Sequence, residues 1–369
     1  MILPVLLALP VALGLLLRGA EGPWAQLIVH IGSMGALTLW LLSRTAVGYI
    51  PRPSHRNLLW AVSLTALSAL SVAYNPMGVR TYPEWLNFLN ALWIFPVMAF
   101  VSKDERRYID SAIRAAAWIL MILAFYQKFR MGDSQPASAL ASPEIYAGAV
   151  LMLLPLSLEA RDWLLAAGLT ATLLWTQSLG AWFGFSCGLF VSQLWRKSAW
   201  STAGLIGLLV CLVVFYGNIQ SPGFLNRVNL WGAAMTAIFN NPLLGSGPGS
   251  FAVLSKGTQY PSNYILRTAS EYGVPFAVLW FGGLWTCMRR GNVYKRFGAV
   301  AVLSQSLWDW SLSMPANLWL FSYFVSSSLS EEPRGVNVPS RHKPVVGALI
   351  LAVGGLLCLQ TWHVLGRPA

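Results

Sequence analysis

Charge is what this 369-residue chain has least of. Only 10% of its residues are Asp, Glu, Lys or Arg and just 13 are acidic, against a hydrophobic fraction of 56% and a mean hydropathy of +0.57. A soluble globule of this length needs far more polar surface to cover its core, so that class is excluded and a polytopic, all-α membrane protein remains. Cysteine is nearly as scarce. All four, Cys187, Cys211, Cys287 and Cys358, fall inside apolar runs, where they behave as small hydrophobes and offer neither a disulfide framework nor a CxxC metal pair. With no Asp-x-Asp pair and no His/Cys cluster, no metal and no cofactor is expected.

What the chain has instead is long apolar runs, bounded by charges and by Pro/Gly/Asn clusters, each long enough or nearly so to cross a hydrocarbon core of about 30 Å. Thirteen can be marked: 2–17, 24–43, 57–74, 85–102, 111–126, 145–158, 163–176, 181–195, 200–217, 272–288, 296–308, 317–330 and 344–361. The first lacks a basic leader and a small-x-small cleavage site, so it is kept as a helix rather than a signal peptide. The expected organisation is twelve or thirteen transmembrane helices in two blocks, 1–217 and 272–369, separated by one long loop over 218–271.

The net charge of +12 does not point to nucleic acid, because the basic residues sort by alternate loops. With the N-terminus inside, seventeen of the twenty-five lie in cytoplasmic loops, and the 218–271 loop falls on the outer face. Topology and contact with anionic lipid explain the seventeen. The eight on the disfavoured face are Arg18, Arg80, Lys128, Arg130, Arg227, Lys256, Arg267 and Arg367. End-of-helix snorkelling accounts for Arg18 and Arg367, and the others are candidates for a ligand. Six of the eighteen tryptophans, Trp24, Trp85, Trp200, Trp308, Trp310 and Trp319, lie near run ends as an interfacial belt would. Trp231 or Trp308 could also serve as a platform for a sugar ring.

Within the outer loop, Trp231, Met235 and Ile238 recur at helical spacing after Arg227, which predicts a short amphipathic helix on the bilayer surface, stopped by Asn240, Asn241 and Pro242. Gly245, Gly247 and Gly249 follow, a turn able to take positive φ and either cradle an anion or simply fold tightly. No Gly-Lys-Ser/Thr follows and no strand precedes it, so it is neither a Walker loop nor a dinucleotide fingerprint.

These pieces resemble the bacterial O-antigen ligase and polymerase superfamily of membrane glycosyltransferases. Arg227, Trp231 and the segment from Asn241 to Phe251 are similar to the family's "R…W…A…P-L-x-G-x-G-x-G-x-F" pattern. Asn263-Tyr264 with Glu271-Tyr272-Gly273 resembles its "H-N-x-Y-L…E-x-G" segment, and "SLWDWSLSMPANLWLF" its late "D-x-x-x-x-x-P" helix entry. Upstream, "ALASPEIYAGAVLMLLPLSL" and "WTQSLGAWFGFSCGLF" resemble an N-x-x-A helix start and an "S-R-G-A-W-x-G" turn, so the likeness covers residues 139–321. Two positions depart from it: Ser262 stands where the family carries His, and Leu179 where it carries Arg.

The resemblance implies transfer of a glycan from a polyprenyl (undecaprenyl) diphosphate carrier to an acceptor hydroxyl, on the periplasmic side of the bacterial inner membrane, in surface polysaccharide or lipopolysaccharide assembly. The partners it implies are that donor, a lipid or glycan acceptor and membrane lipid. Such chemistry needs a cation for the diphosphate and a base for the acceptor proton. Arg227 is the first candidate for the diphosphate, with Arg80, Arg267 and Lys256 next, since arginine matches phosphate bidentately. Glu271 and Asp309 stand at the family's acidic positions and are the candidate catalytic groups. Glu271 could instead pair with Arg267 at i, i+4. Histidine is poorly placed for the base: His55 and His342 sit on the inner face, His363 lies past the last run, and His30 lies inside the second as a packed residue. Two other readings stay open, a lipid-linked glycan transporter or flippase and a non-catalytic relative that binds carrier lipid. Against the transporter, no inverted repeat or matching pair of Gly/Pro-broken runs is present.

The orientation is directly testable. Single cysteines labelled from outside are expected to react near Ser255 and to stay unlabelled near Gly291; the opposite pattern would reverse every assignment of face.

Overall fold

The computed structural model describes residues 6–51, 55–75, 81–99, 101–193, 199–251, 262–290, 292–326 and 335–366. These form an all-α polytopic membrane protein. Its helices are α1 (Leu9–Leu16), α2 (Pro23–Val47), α3 (His55–Tyr74), α4 (Thr81–Ala99), α5 (Lys103–Tyr126), α6 (Pro143–Glu159), α7 (Trp163–Thr176), α8 (Leu179–Gln193), α9 (Ala199–Gly217), α10 (Pro222–Asn240), α11 (Tyr264–Tyr272), α12 (Val274–Arg290), α13 (Val293–Gln305), α14 (Pro315–Ser326) and α15 (Lys343–Leu365). Each of the thirteen apolar runs holds one of them. Among the described residues five stretches, Pro23–Val47, Arg56–Tyr74, Lys103–Met131, Ala199–Gly217 and Ser340–Leu365, are by themselves long and apolar enough to cross a membrane. A three-residue antiparallel ribbon, β1 (Tyr49–Pro51) with β2 (Gly335–Asn337), ties the end of α2 to the approach to α15.

The boundaries follow from capping chemistry. At the start of α5 the Ser102 hydroxyl accepts from Glu105 N at 3.2 Å while Glu105 returns a bond to Ser102 N at 2.9 Å, which satisfies two of the orphan amides of a helix start. Ser142 before Pro143 and Ser221 before Pro222 cap α6 and α10 through the hydroxyl alone, accepting from Ile145 N and Phe224 N, each with proline in the first turn, where its missing N–H costs nothing. The Ser221 cap explains why α10 starts at Pro222, five residues ahead of the helix expected from Arg227. Its buried face is Leu230, Ala234 and Ala237, packed with Phe251. That face is offset from the expected Trp231–Met235–Ile238 stripe, and Met235 is exposed. Asn263 caps α11, a nine-residue helix that sequence periodicity did not reveal.

At the centre lie α6, α13 and α14, and every residue of α14 is buried. At the periphery α9 packs on α8 and α15 on α2. Both expose apolar side chains on most of their surface, Leu205, Val213, Val345 and Leu356 among them, as helices facing lipid do. Trp24 and Trp200 are well exposed and fit the expected belt, whereas Trp319 does not: it is fully buried and donates its indole N–H to Asn87 O at 3.0 Å. His30 is packed as expected, its Nε2 2.9 Å from Asn87 Oδ1 and its ring edge-on to Trp319.

Where helices approach most closely the contact residue is small. Lipid supplies no hydrophobic drive for helix pairing, so close backbone approach and dispersion must do it. A Cβ on Gly184 of α8 would stand 2.3 Å from Ala301 O of α13, and the partner there is backbone that cannot swing away. Gly184→Leu is therefore expected to destabilise by about 1–3 kcal/mol or more, read as a lower thermal midpoint in detergent. Gly355→Leu on α15, where a Cβ meets nothing within 4 Å, serves as the control; equal midpoints for the two variants would refute the packing argument.

Candidate functional site

Two polar clusters lie side by side at one end of the bundle, the end that carries Arg227. Both hang from the connection between α13 and α14, residues 306–314. Tyr264 N donates to Ser306 O at 2.8 Å and Asn263 Nδ2 to Leu307 O at 3.2 Å, which locks the start of α11 onto that connection.

The first cluster is built on Arg267. Its Nε donates to Glu271 Oε2 at 3.1 Å, Nη2 to Glu84 Oε2 at 3.0 Å and Nη1 to Ser313 O at 3.3 Å. The i, i+4 pairing with Glu271 was one expectation, and the third partner comes from α4. This guanidinium is committed to protein groups, which removes it from the diphosphate candidates in the conformation seen here. Glu271 is 1% exposed and lies outside the long membrane spans. Burial pushes its carboxyl up to about 7, with Arg267 pulling down, Glu84 pushing up, and the Gly249 amide pulling down. The adjoining cavity of about 30 Å³, lined by Glu84, Asn87, Arg267, Glu271 and Ser313 among others, has room for little more than one water.

The glycine turn belongs to this cluster. Gly245, Gly247 and Gly249 take positive φ of 68°, 90° and 71°, as the sequence suggested. Their purpose is backbone docking and not anion binding. Ser246 N donates to Ser270 O at 2.8 Å, Gly247 N to Glu271 O at 2.9 Å and Gly245 N to Asn241 O at 3.0 Å. From α3 and the residue after it, Ser71 Oγ and Asn75 Nδ2 bond Glu271 O and Gly245 O. A Cβ on Gly245 would stand 2.4 Å from the Glu271 carbonyl, and one on Gly247 2.3 Å from Asn75 O, so neither position tolerates a side chain. With these amides donated to the protein, an anion cradle is excluded there.

The second cluster surrounds a cavity of about 160 Å³ lined by Glu144, Gln177, Ser178, Leu179, Gly180, Arg227, Trp308 and Asp309. Asp309 is 4% exposed. Its Oδ2 accepts from Gln305 Nε2 at 2.6 Å and its Oδ1 from Ser311 N at 2.9 Å. Burial raises its carboxyl to about 7; the Ser311 amide and Gln305 pull down, Glu144 pushes up and Arg227 pulls down. Arg227 is half-buried on α10, facing this carboxylate field. The aromatic wall is Trp308, stacked on Phe215 at 4.4 Å between ring centroids and flanked by Trp231 at 5.7 Å. Trp231 is itself fixed, donating Nε1 to Ser262 O at 3.3 Å. Ser178 caps α8 through Ala181 N, and Gly180 lies beside the acid, where a Cβ would meet Asp309 Oδ2 at an ordinary contact of 3.4 Å.

The structure thus brings Arg227 and Asp309 together and keeps Arg267 and Glu271 apart from them. Arg80 and Lys256 lie outside the described residues. Glu144, an acid expected on the outer face, and Gln177 lie in segments quoted for the resemblance, but neither was a candidate for the site; the fold brings them to the cavity by packing α6 and the α7–α8 turn against the 306–314 connection. Among the described residues no three His, Cys, Asp or Glu side chains meet as a metal ion requires. No protein-family model matches the chain and no curated protein matches it.

The raised Glu271 carboxyl has a measurable consequence. A group that titrates near 7 when folded and near 4.5 when unfolded binds more protons in the native state, so its contribution is fully present below about 4.5 and lost as pH rises through about 7. The thermal midpoint of the wild type minus that of Glu271→Gln is expected to fall across this window and level off above it. A difference that rises with pH would show that Arg267 holds the carboxyl ionised instead. Arg267→Ala, which strands the buried Glu271 and the half-buried Glu84, is expected to cost about 3–5 kcal/mol.

Proposed function

We propose that the protein is a membrane glycosyltransferase of the O-antigen ligase or polymerase type. It takes glycan from a polyprenyl diphosphate carrier and passes it to an acceptor hydroxyl at the periplasmic face of the bacterial inner membrane. The observation that carries this reading is convergence. Four segments that resemble the superfamily, around residues 144, 178–180, 227 and 309, lie far apart in the chain and line one cavity. Their chemistry is what the transfer needs: a half-buried guanidinium at a surface helix, and a carboxyl whose proton is labile near neutrality.

In this reading Arg227 holds the donor diphosphate and stabilises the charge that grows on the leaving oxygen as the sugar–phosphate bond breaks. Asp309, in its ionised form, accepts the acceptor hydroxyl's proton, which makes a histidine at position 262 unnecessary. Gln305 and the Ser311 amide fix the carboxyl's orientation, and Trp308 with Trp231 offers an apolar wall to a sugar face. A ligase would move a finished glycan to a lipid, a polymerase would extend repeat units, and the same two groups serve both.

A second reading has one observation in its favour. Leu179 lines the cavity where the superfamily has Arg, which suits a relative that binds carrier lipid without turnover.

A transfer assay in membranes separates them. Arg227→Ala is expected to lower the rate by about a hundred- to a thousandfold, equivalent to about 3–4 kcal/mol, with folded protein retained. Arg227→Lys keeps charge without the fork and should remain strongly impaired. The wild-type rate should climb with pH through about 7 as Asp309 ionises, a climb absent from Asp309→Asn. Near-normal turnover of Arg227→Ala would reduce that residue to an interfacial anchor; carrier binding with no transfer by the wild type would favour the non-catalytic relative.

A further inference from the structure

At the opposite end of the bundle α12 and α13 are consecutive in sequence yet touch only slightly, whereas α13 is packed along its length against α8. The gap between them is a cavity of about 340 Å³, lined by Val191, Trp285, Met288, Arg289, Arg296 and Val300, within the range of about 300–1,000 Å³ typical of small-molecule sites. It is more than twice the volume of the Arg227 cavity and has no part in the chemistry above.

Its lining is amphipathic in one direction. Four apolar side chains form one part, with Trp285 52% exposed; two arginines form the other. The Arg296 guanidinium is held in place, donating Nε to Met288 O at 3.1 Å and Nη2 to Arg289 O at 3.0 Å, so it is a preorganised cation bridging the ends of α12 and α13. Arg289 is exposed, and its guanidinium has no protein partner among the described residues. Two other described charges near this end are turned elsewhere. Lys295 faces Asp110 at 3.5 Å, and Glu159 accepts from Asn292 Nδ2 at 2.6 Å. The cavity therefore presents net positive charge at the membrane surface above an apolar slot that opens beside an exposed tryptophan.

We infer that this cavity is a binding site for an anionic phospholipid, whose phosphate lies between Arg289 and Arg296 and whose acyl chains run along Trp285, Met288, Val191 and Val300. A soluble phosphate would satisfy the arginines but leave the apolar part unfilled, and a zwitterionic lipid would fill the slot but carry its own cation to the arginines. Only an anionic lipid matches both. The inference rests on the membrane setting and not on the transfer reaction.

The test uses the full-length protein in phosphatidylcholine nanodiscs, titrated with phosphatidylglycerol brominated on its acyl chains. Quenching assigned to Trp285, as the difference between wild type and Trp285→Phe, should saturate. It should persist in excess inorganic phosphate and be absent with brominated phosphatidylcholine at the same mole fraction. Arg289→Ala, at an exposed position where misfolding is not expected, should weaken the saturable component about fivefold, and Arg289→Glu further. Equal quenching by the two lipids, displacement by phosphate, no effect of Arg289→Ala, or no difference between wild type and Trp285→Phe would each overturn the inference.

Discussion

One guanidinium holds in shape the end of the bundle that carries the two polar clusters. Arg267 reaches Glu84 on α4, Glu271 on its own helix and the carbonyl of Ser313 beyond α13, so three chain segments are fixed by a single planar fork. Two buried charges and a half-buried third are expensive to desolvate, and a fully apolar packing of the same volume would often be as stable. What the ionic version adds is register. Once Arg267 is placed, the last turn of α11 presents the carbonyls of Ser270 and Glu271, and the 245–250 turn and α3 dock on them through backbone and side-chain bonds. The far side of the same 306–314 connection carries Asp309. The Arg267 cluster thus anchors one side of the connection, while Gln305 and the Ser311 amide orient the acid on the other.

Much of the scaffold was legible because a bilayer simplifies the code. Every backbone group in hydrocarbon must be bonded within its own segment, so apolar length alone predicted a helix in each of the thirteen runs. The errors fall where local polar chemistry decides. The extra turns of α10 come from Ser221 and Pro222, which were read as part of the loop, and α11 is too short and too polar to register as periodic, its start set by Asn263. Trp319 sits near a run end like the belt tryptophans, but its place against Asn87 depends on α4 and α14 packing together, which no local pattern encodes.

The glycine turn separates what a sequence can and cannot convey. Three glycines in five residues state that the chain needs positive φ or close approach, and both are found. They do not state what approaches. An anion and a neighbouring carbonyl end of a helix make the same demand on a loop, since each requires bare amides and no Cβ. Here the amides meet the carbonyls of Ser270 and Glu271. Similarly, Arg227 and Arg267 were both candidates as outer-face cations, Arg227 ranked first for its family-like position, and their partners now separate them physically: Arg267 is enclosed by acids, while Arg227 stands at the edge of open volume.

The same distinction decides between the two acids. Glu271 and Asp309 are both buried and both pushed up to about 7, so acidity alone does not rank them. Their surroundings do. Glu271 has a permanent cation at 3.1 Å and a cavity fit for about one water, so its ionised form is already paired and no substrate hydroxyl has room beside it. Asp309 is held by two neutral donors, Gln305 and the Ser311 amide, and borders a cavity five times larger that also contains Arg227. Neutral donors orient a carboxylate without consuming its charge, and open volume lets a hydroxyl reach it. A carboxyl that can exchange its proton with a bound molecule must have both, and of the two candidate acids only Asp309 does.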